Sequence, residues 1–122
     1  IVWYGVHAFE MLESLLGTGA ELVTVVRDKK GAVAHITYAD DRRGIVELTE
    51  GNWQYGGTVR NDEKVCSFLV DSDMNYTRIL QQMIPFFQGG TTPVMVNHSL
   101  EIIKLLEATQ KSYDTGKPVS ID

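Results

Sequence analysis

Residues 21–49 decide the fold. They read Glu21-Leu22-Val23-Thr24-Val25-Val26-Arg27-Asp28, then Lys29-Lys30-Gly31, then Ala32-Val33-Ala34-His35-Ile36-Thr37-Tyr38-Ala39, then Asp40-Asp41-Arg42, then Arg43-Gly44-Ile45-Val46-Glu47-Leu48-Thr49. Three runs rich in β-branched and aliphatic residues are separated by short clusters of turn formers, which predicts three strands. Turns this short join neighbours, so the pairing is expected to be antiparallel. Val33, His35 and Thr37 alternate with Ala34, Ile36 and Tyr38, and Ile45 and Glu47 alternate with Val46 and Leu48. Both sets are partly apolar. One face belongs under helices, and the other predicts a partner.

Outward from these strands the periodicity changes. Val6, Phe9, Leu12, Leu15 and Leu16 recur at three and four residue spacing and predict a helix, stopped by Gly17-Thr18-Gly19. After the break at Glu50-Gly51-Asn52, Gln54–Asn61 reads as a strand weakened by Gly56-Gly57, and Val65–Asp71 as a firmer one. Tyr76, Ile79, Leu80, Met83 and Phe87 stripe a helix over Met74–Phe87. The ring of Pro85 would meet the carbonyl of Gln81, so a kink or an early end is expected there. Gly89-Gly90-Thr91-Thr92-Pro93 is a loop. A last helix covers Val96–Tyr113, with Leu100, Ile103 and Leu106 on one side and Ile102, Leu105 and Thr109 beside them. Gly116 and Pro118 end it, and Val119–Ile121 forms a short final strand. The fold class is α+β: a mostly antiparallel, open-faced sheet with helices packed on one face.

A chain of 122 residues is one domain by length, and 43% hydrophobic with 22% charged residues is an ordinary globular composition. The net charge of -5 argues against nucleic acid as a partner. No apolar run is long enough for a membrane span, and no leader is visible, so the expected location is cytoplasmic. The chain opens on Ile1-Val2-Trp3 without an initiator Met, which reads as an excised piece. Cys66, between Val65 and Ser67 and near Phe68, reads as a buried structural thiol. His7, His35 and His98 are not at metal-ligand spacings, so no metal is expected. His35 reads as a solvated strand histidine, His98 as a surface residue, and Trp53 and Tyr55 as loop anchors.

His7 is the sharpest chemical candidate. It stands at the opening of the first helix, two residues after Gly5, with Glu10 three residues on and so on the same side. A histidine fixed by a carboxylate suits proton transfer near neutral pH. The plain alternative is a helix-start acid favoured by the helix dipole.

Two segments carry a family resemblance. One is Tyr4-Gly5-Val6-His7-Ala8-Phe9-Glu10. The other runs from Asn97-His98-Ser99-Leu100-Glu101-Ile102-Ile103 to Ser112-Tyr113-Asp114-Thr115-Gly116-Lys117-Pro118-Val119. Together they resemble the C-terminal, substrate and oligomerisation domain of Gfo/Idh/MocA oxidoreductases, the glucose–fructose oxidoreductase and inositol dehydrogenase family. The resemblance implies that residues 1–122 are one such domain, without its N-terminal Rossmann partner. It implies a parent enzyme that uses NAD or NADP on a sugar, inositol or related polyol, with His7 as the catalytic residue and Gly5 and Glu10 on the substrate side. It further implies a homo-oligomer formed through the sheet face. Many family members carry an aspartate where this chain has Trp3, so the substrate contact there differs. The family's Glu-Lys-Pro segment and a G-x-G-x-x-G turn are both missing, so no cofactor is expected on this chain by itself. The competing reading is a non-enzymatic α+β module that dimerises or binds a small ligand.

Overall fold

The computed structural model describes residues 2–51 and 53–121, and for Val2, Trp3 and Tyr4 the backbone only. In chain order, helix α1 (Val2–Leu16) leads to strands β1 (Ala20–Arg27), β2 (Gly31–Tyr38) and β3 (Arg43–Thr49). Strands β4 (Gly56–Arg60) and β5 (Val65–Leu69) follow, then helices α2 (Asn75–Phe87) and α3 (Val96–Thr115), then strand β6 (Val119–Ser120). The α+β class read from the sequence holds. The chain divides into two compact units, Ile1–Asn52 with Val96–Asp122, and Trp53–Met95.

In the first unit, four strands form an antiparallel sheet in the order β3-β2-β1-β6. Its first turn is made by Asp28, whose Oδ1 accepts from the backbone N–H groups of Lys30 and Gly31 at 2.7 and 3.0 Å. A side chain at Gly31 would collide with the carbonyl of Leu48 on β3, so glycine is required by the close approach. The second turn places Asp41 at φ 65°, a left-handed conformation that Asp tolerates better than most residues.

Helices α1 and α3 cover one face of this sheet. Val23, Val25, Ala34, Ile36 and Val46 point into the core and meet Phe9 and Leu12 of α1 and Leu105 and Ala108 of α3. Alternation then leaves the other face open: Val26 and Ile45 are each 68% exposed. Small residues set the helix positions. Leu12 lies over Gly44 where a Cβ would stand, and a Cβ on Gly5 would sit 3.3 Å from Leu48.

Helix α3 departs from the predicted stripe. Its buried residues are Leu105, Ala108, Thr109 and Ser112, whereas Leu100 and Ile103 are 52% and 59% exposed. The helix packs on β1 and α1 through Leu105 with small and polar residues beside it. Ser112 shows why a polar residue is needed. Its Oγ accepts from the Val25 N–H at 3.0 Å and donates to the Lys117 carbonyl at 2.7 Å. Strand β6 pairs with β1 only at Leu22 and Val23. The hydroxyl therefore takes over the edge of β1 where β6 stops.

In the second unit, β4 and β5 form an antiparallel hairpin from Gly56↔Leu69 to Arg60↔Val65. The Asn61 side chain accepts from the Glu63 and Lys64 N–H groups at its turn. The weakened strand thus forms, over Gly56–Arg60. Helix α2 holds Pro85 in its last turn and continues to Phe87, so the ring expected to meet the Gln81 carbonyl does not end it early. Cys66 corrects the sequence reading: it is exposed, opposite Val59 in a two-stranded ribbon that offers too little area to bury a thiol. Among the described residues no helix is long and apolar enough to cross a membrane.

Replacing Ser112 by Ala strands the Val25 N–H and the Lys117 carbonyl in a site that is 0% exposed. The expected loss is about 1–3 kcal/mol, read as a lower urea midpoint with unchanged slope. A wild-type midpoint would show that the hydroxyl is dispensable.

Candidate functional site

Helix α1 begins at Val2, so His7 and Glu10 lie within its body and not at its opening, as the sequence reading had it. The segment before His7 stays helical because Gly5, normally a weak helix former, is buried against Leu48. Phe9 and Leu12 turn inward, which leaves His7, Glu10 and Ser14 together on the outer side. There the Nδ1 of His7 lies 2.9 Å from Oε2 of Glu10, with the two side chains 57% and 51% exposed. With the proton on Nδ1 donated to the carboxylate, Nε2 carries the lone pair and the ring is held in one orientation. Such a pair can take a proton from a hydroxyl and return it. The side chain of Trp3, at the position of the departure noted in the sequence, lies outside the described residues.

The other histidines are elsewhere. His35 is exposed at the middle of β2 on the open sheet face, between Thr24 of β1 and Ile45 of β3. His98, in the first turn of α3, is more than a surface residue. Its Nδ1 is 2.5 Å from Oε1 of Glu13, a carboxylate of α1 whose side chain is only 6% exposed. The contact is at ion-pair distance but outside hydrogen-bond geometry. Sequence reading missed this pair because the partners are far apart in the chain and Glu13 falls in a helix whose buried stripe looked wholly apolar.

Around it lies a second layer of polar contacts. Oε1 of Glu101 accepts from the Gly19 and Ala20 N–H groups at 2.9 and 2.8 Å and so fixes the turn from α1 into β1. Arg42 closes the end of α1 by donating to the carbonyls of Leu16 and Thr18. Its Nε lies 2.8 Å from both oxygens of Asp40, and its guanidinium is 4.6 Å from the Tyr38 ring centre. Burial pushes the Tyr38 phenol above its ordinary value, against the pull of Arg42, with Glu101, Glu13 and Asp40 adding to the rise. A shallow cleft of about 230 Å³ beside this cluster is lined by Thr18, Asn97, Leu100, Glu101 and Lys104. Since Glu101 is committed to the backbone of the turn, this region reads as structural. Among the described residues no group of His, Cys, Asp and Glu is arranged to hold a metal ion.

Nor do these residues form a dinucleotide cradle. That site needs a parallel strand, a glycine-rich turn and a helix N-terminus in succession. Here Gly17 and Gly19, both at positive φ, end a helix and lead into an antiparallel strand, the reverse order.

The Arg42 contact holds the Asp40 carboxyl below its ordinary range. A carboxylate with a depressed folded value contributes stability above the unfolded value near 3.9, and loses it as pH falls through the folded one. Asp40→Asn should therefore lower the urea midpoint at pH 7 and converge with wild type in acid below both values. A constant difference between pH 7 and pH 2 would assign the loss to something other than this charge.

No protein-family sequence profile matches the chain, and no curated protein matches it in sequence. The fold does have a counterpart. It is similar to a crystal structure from Sinorhizobium meliloti 1021 described as a "putative myo-inositol dehydrogenase", with a TM-score of 0.63 and 14% identity. The likeness covers 96% of this chain and 48% of that one, so the chain spans about half the length of the protein it resembles.

Proposed function

We propose that this chain is the substrate-side and oligomerisation domain of an NAD(P)-dependent oxidoreductase that acts on a sugar, inositol or related polyol. The observation that carries the reading is the His7–Glu10 pair at 2.9 Å on the outer side of α1. It is joined by a fold shared, over nearly the whole chain, with about half of a protein described as an inositol dehydrogenase. In this reading the family is Gfo/Idh/MocA, and the nucleotide-binding domain lies outside these residues. The dinucleotide belongs to that other domain, since the residues here do not fit it.

Oxidation of a secondary alcohol to a ketone removes a proton from oxygen and a hydride from carbon. His7 serves the first half: Nε2 takes the hydroxyl proton as the carbonyl forms and returns it in the reverse direction. Glu10 holds the ring, balances the imidazolium that results, and faces the polyol with its exposed edge. Gly5 contributes by lacking a side chain, which lets the turn carrying His7 lie against β3. With Trp3 in place of the family's aspartate, this chain presents one fewer carboxylate to the substrate. His7 is then the chain's own proton-handling group. The open sheet face, with Val26 and Ile45 exposed, supports the homo-oligomer. That exposed face equally suits a binding module without redox chemistry, and dependence on His7 separates the two.

In the full-length protein, His7→Ala should lower kcat for polyol oxidation by about a hundredfold to ten-thousandfold. Glu10→Gln should lower it less, because the ring loses its ionic partner but keeps its nitrogen. Near-normal turnover of the alanine variant removes His7 from the mechanism. A full-length protein with no polyol-dependent reduction of either nicotinamide would favour the binding module.

A further inference from the structure

The open face of the β3-β2-β1 sheet is self-complementary about one particular two-fold axis. The registers place its outward residues in rows across the strands. The central row is Thr24, His35 and Ile45. On one side of it stands a row from Leu22 to Arg43, and on the other a row from Val26 to Glu47. The two charges of β3 on this face therefore have opposite sign and flank the central row symmetrically. Arg43, Ile45 and Glu47 are all exposed.

We propose that this face docks a second copy of the chain about an axis along the Thr24–His35–Ile45 row, with Arg43 of each copy paired to the partner's Glu47. The proposal rests on the sheet-face oligomer argued above and specifies its geometry. A closed pair of identical faces must be related by a two-fold axis. Rotation about the central row lays the Arg43 row over the partner's Glu47 row, so both charges are matched twice per dimer. Leu22 then lies over the partner's Val26, and Ile45 meets its own copy on the axis. The other axis in the plane of the sheet, along β2, places Arg43 over the partner's Leu22 and Glu47 over the partner's Val26. That arrangement desolvates four charges against aliphatic groups without compensation. Facing sheets pack about 10 Å apart with strands inclined by about 30°, an offset that two long side chains at the β3 edge can span. Glu47 Oε1 already accepts from the Thr49 hydroxyl at 2.7 Å, a contact that leaves Oε2 to face a guanidinium.

The test is sedimentation of the full-length protein at pH 8, where an ordinary imidazole is neutral. Arg43→Glu and Glu47→Arg should each weaken the dimer by at least about tenfold, since like charges then face one another twice. The double exchange, Arg43→Glu with Glu47→Arg, should restore it to within about threefold of wild type. A double variant no better than the singles, in a protein whose dimer is broken by Ile45→Glu, overturns the axis and leaves the sheet-face dimer standing. A dimer indifferent to Ile45→Glu, or a wild-type monomer, overturns the sheet-face reading and this inference with it.

Discussion

Three parts of the fold meet at the hydroxyl of Ser112. It accepts from the Val25 N–H of β1 and donates to the Lys117 carbonyl that precedes β6, while its own backbone belongs to α3. Strand β6 has only two residues and cannot finish the edge of β1. A buried N–H left there would cost more than a typical hydrogen bond returns, so the edge needs an acceptor from outside the sheet. Supplying it from α3 fixes how far the helix lies from β1 and which side it turns inward. Ala108 and Thr109 then pack beneath it, and Leu100 and Ile103 are left facing outward. The position of α1 follows in turn, since it packs between α3 and β3 over Gly44.

The sheet was legible because its information is local. Residues 21–49 contain three alternating runs and two turns, and each turn is closed by groups only a few residues apart, such as Asp28 with Lys30 and Gly31. The exposed apolar face followed from the same alternation. The buried side of α3 was legible only in part: Leu105 and Thr109 are on the side read from the sequence, but Ala108 and Ser112 are not, and Leu100 and Ile103 face outward. A hydrophobic stripe marks the inner face of a helix only when packing is driven by large side chains, and here a serine, a threonine and an alanine share that face with Leu105. Cys66 failed for a related reason: apolar neighbours in sequence say nothing of whether a second layer lies over the strand.

For the candidate site the limit was distance along the chain. His7 and Glu10 are three apart, so their meeting could be read from helical spacing and is found at 2.9 Å. Glu13 and His98, Glu101 and the Gly19 turn, and Arg42 and the end of α1 are brought together only by the fold. These long-range polar contacts gather where α1 ends and α3 begins. The cluster is mainly a device for closing backbone groups: Arg42 satisfies carbonyls at the end of α1, and Glu101 satisfies N–H groups of the turn that follows.

Helix α1 therefore divides its labour around its circumference. Phe9, Leu12 and Glu13 face inward and are fixed by the sheet and by α3, while His7 and Glu10 face outward. An imidazole buried in this domain would be held by its packing but closed to any group outside it. An imidazole more than half exposed has the opposite difficulty, since solvent lets it rotate. The Glu10 carboxylate answers this locally, by holding the imidazole from the same helix. The rigidity beneath the pair comes from Gly5 against Leu48 and Leu12 over Gly44, two close approaches that hold α1 to β3. The placement of the His7–Glu10 pair is thus set in part by two glycines that let α1 lie close on β3. Enlarging either would shift the helix that carries His7 and Glu10 without touching the pair itself.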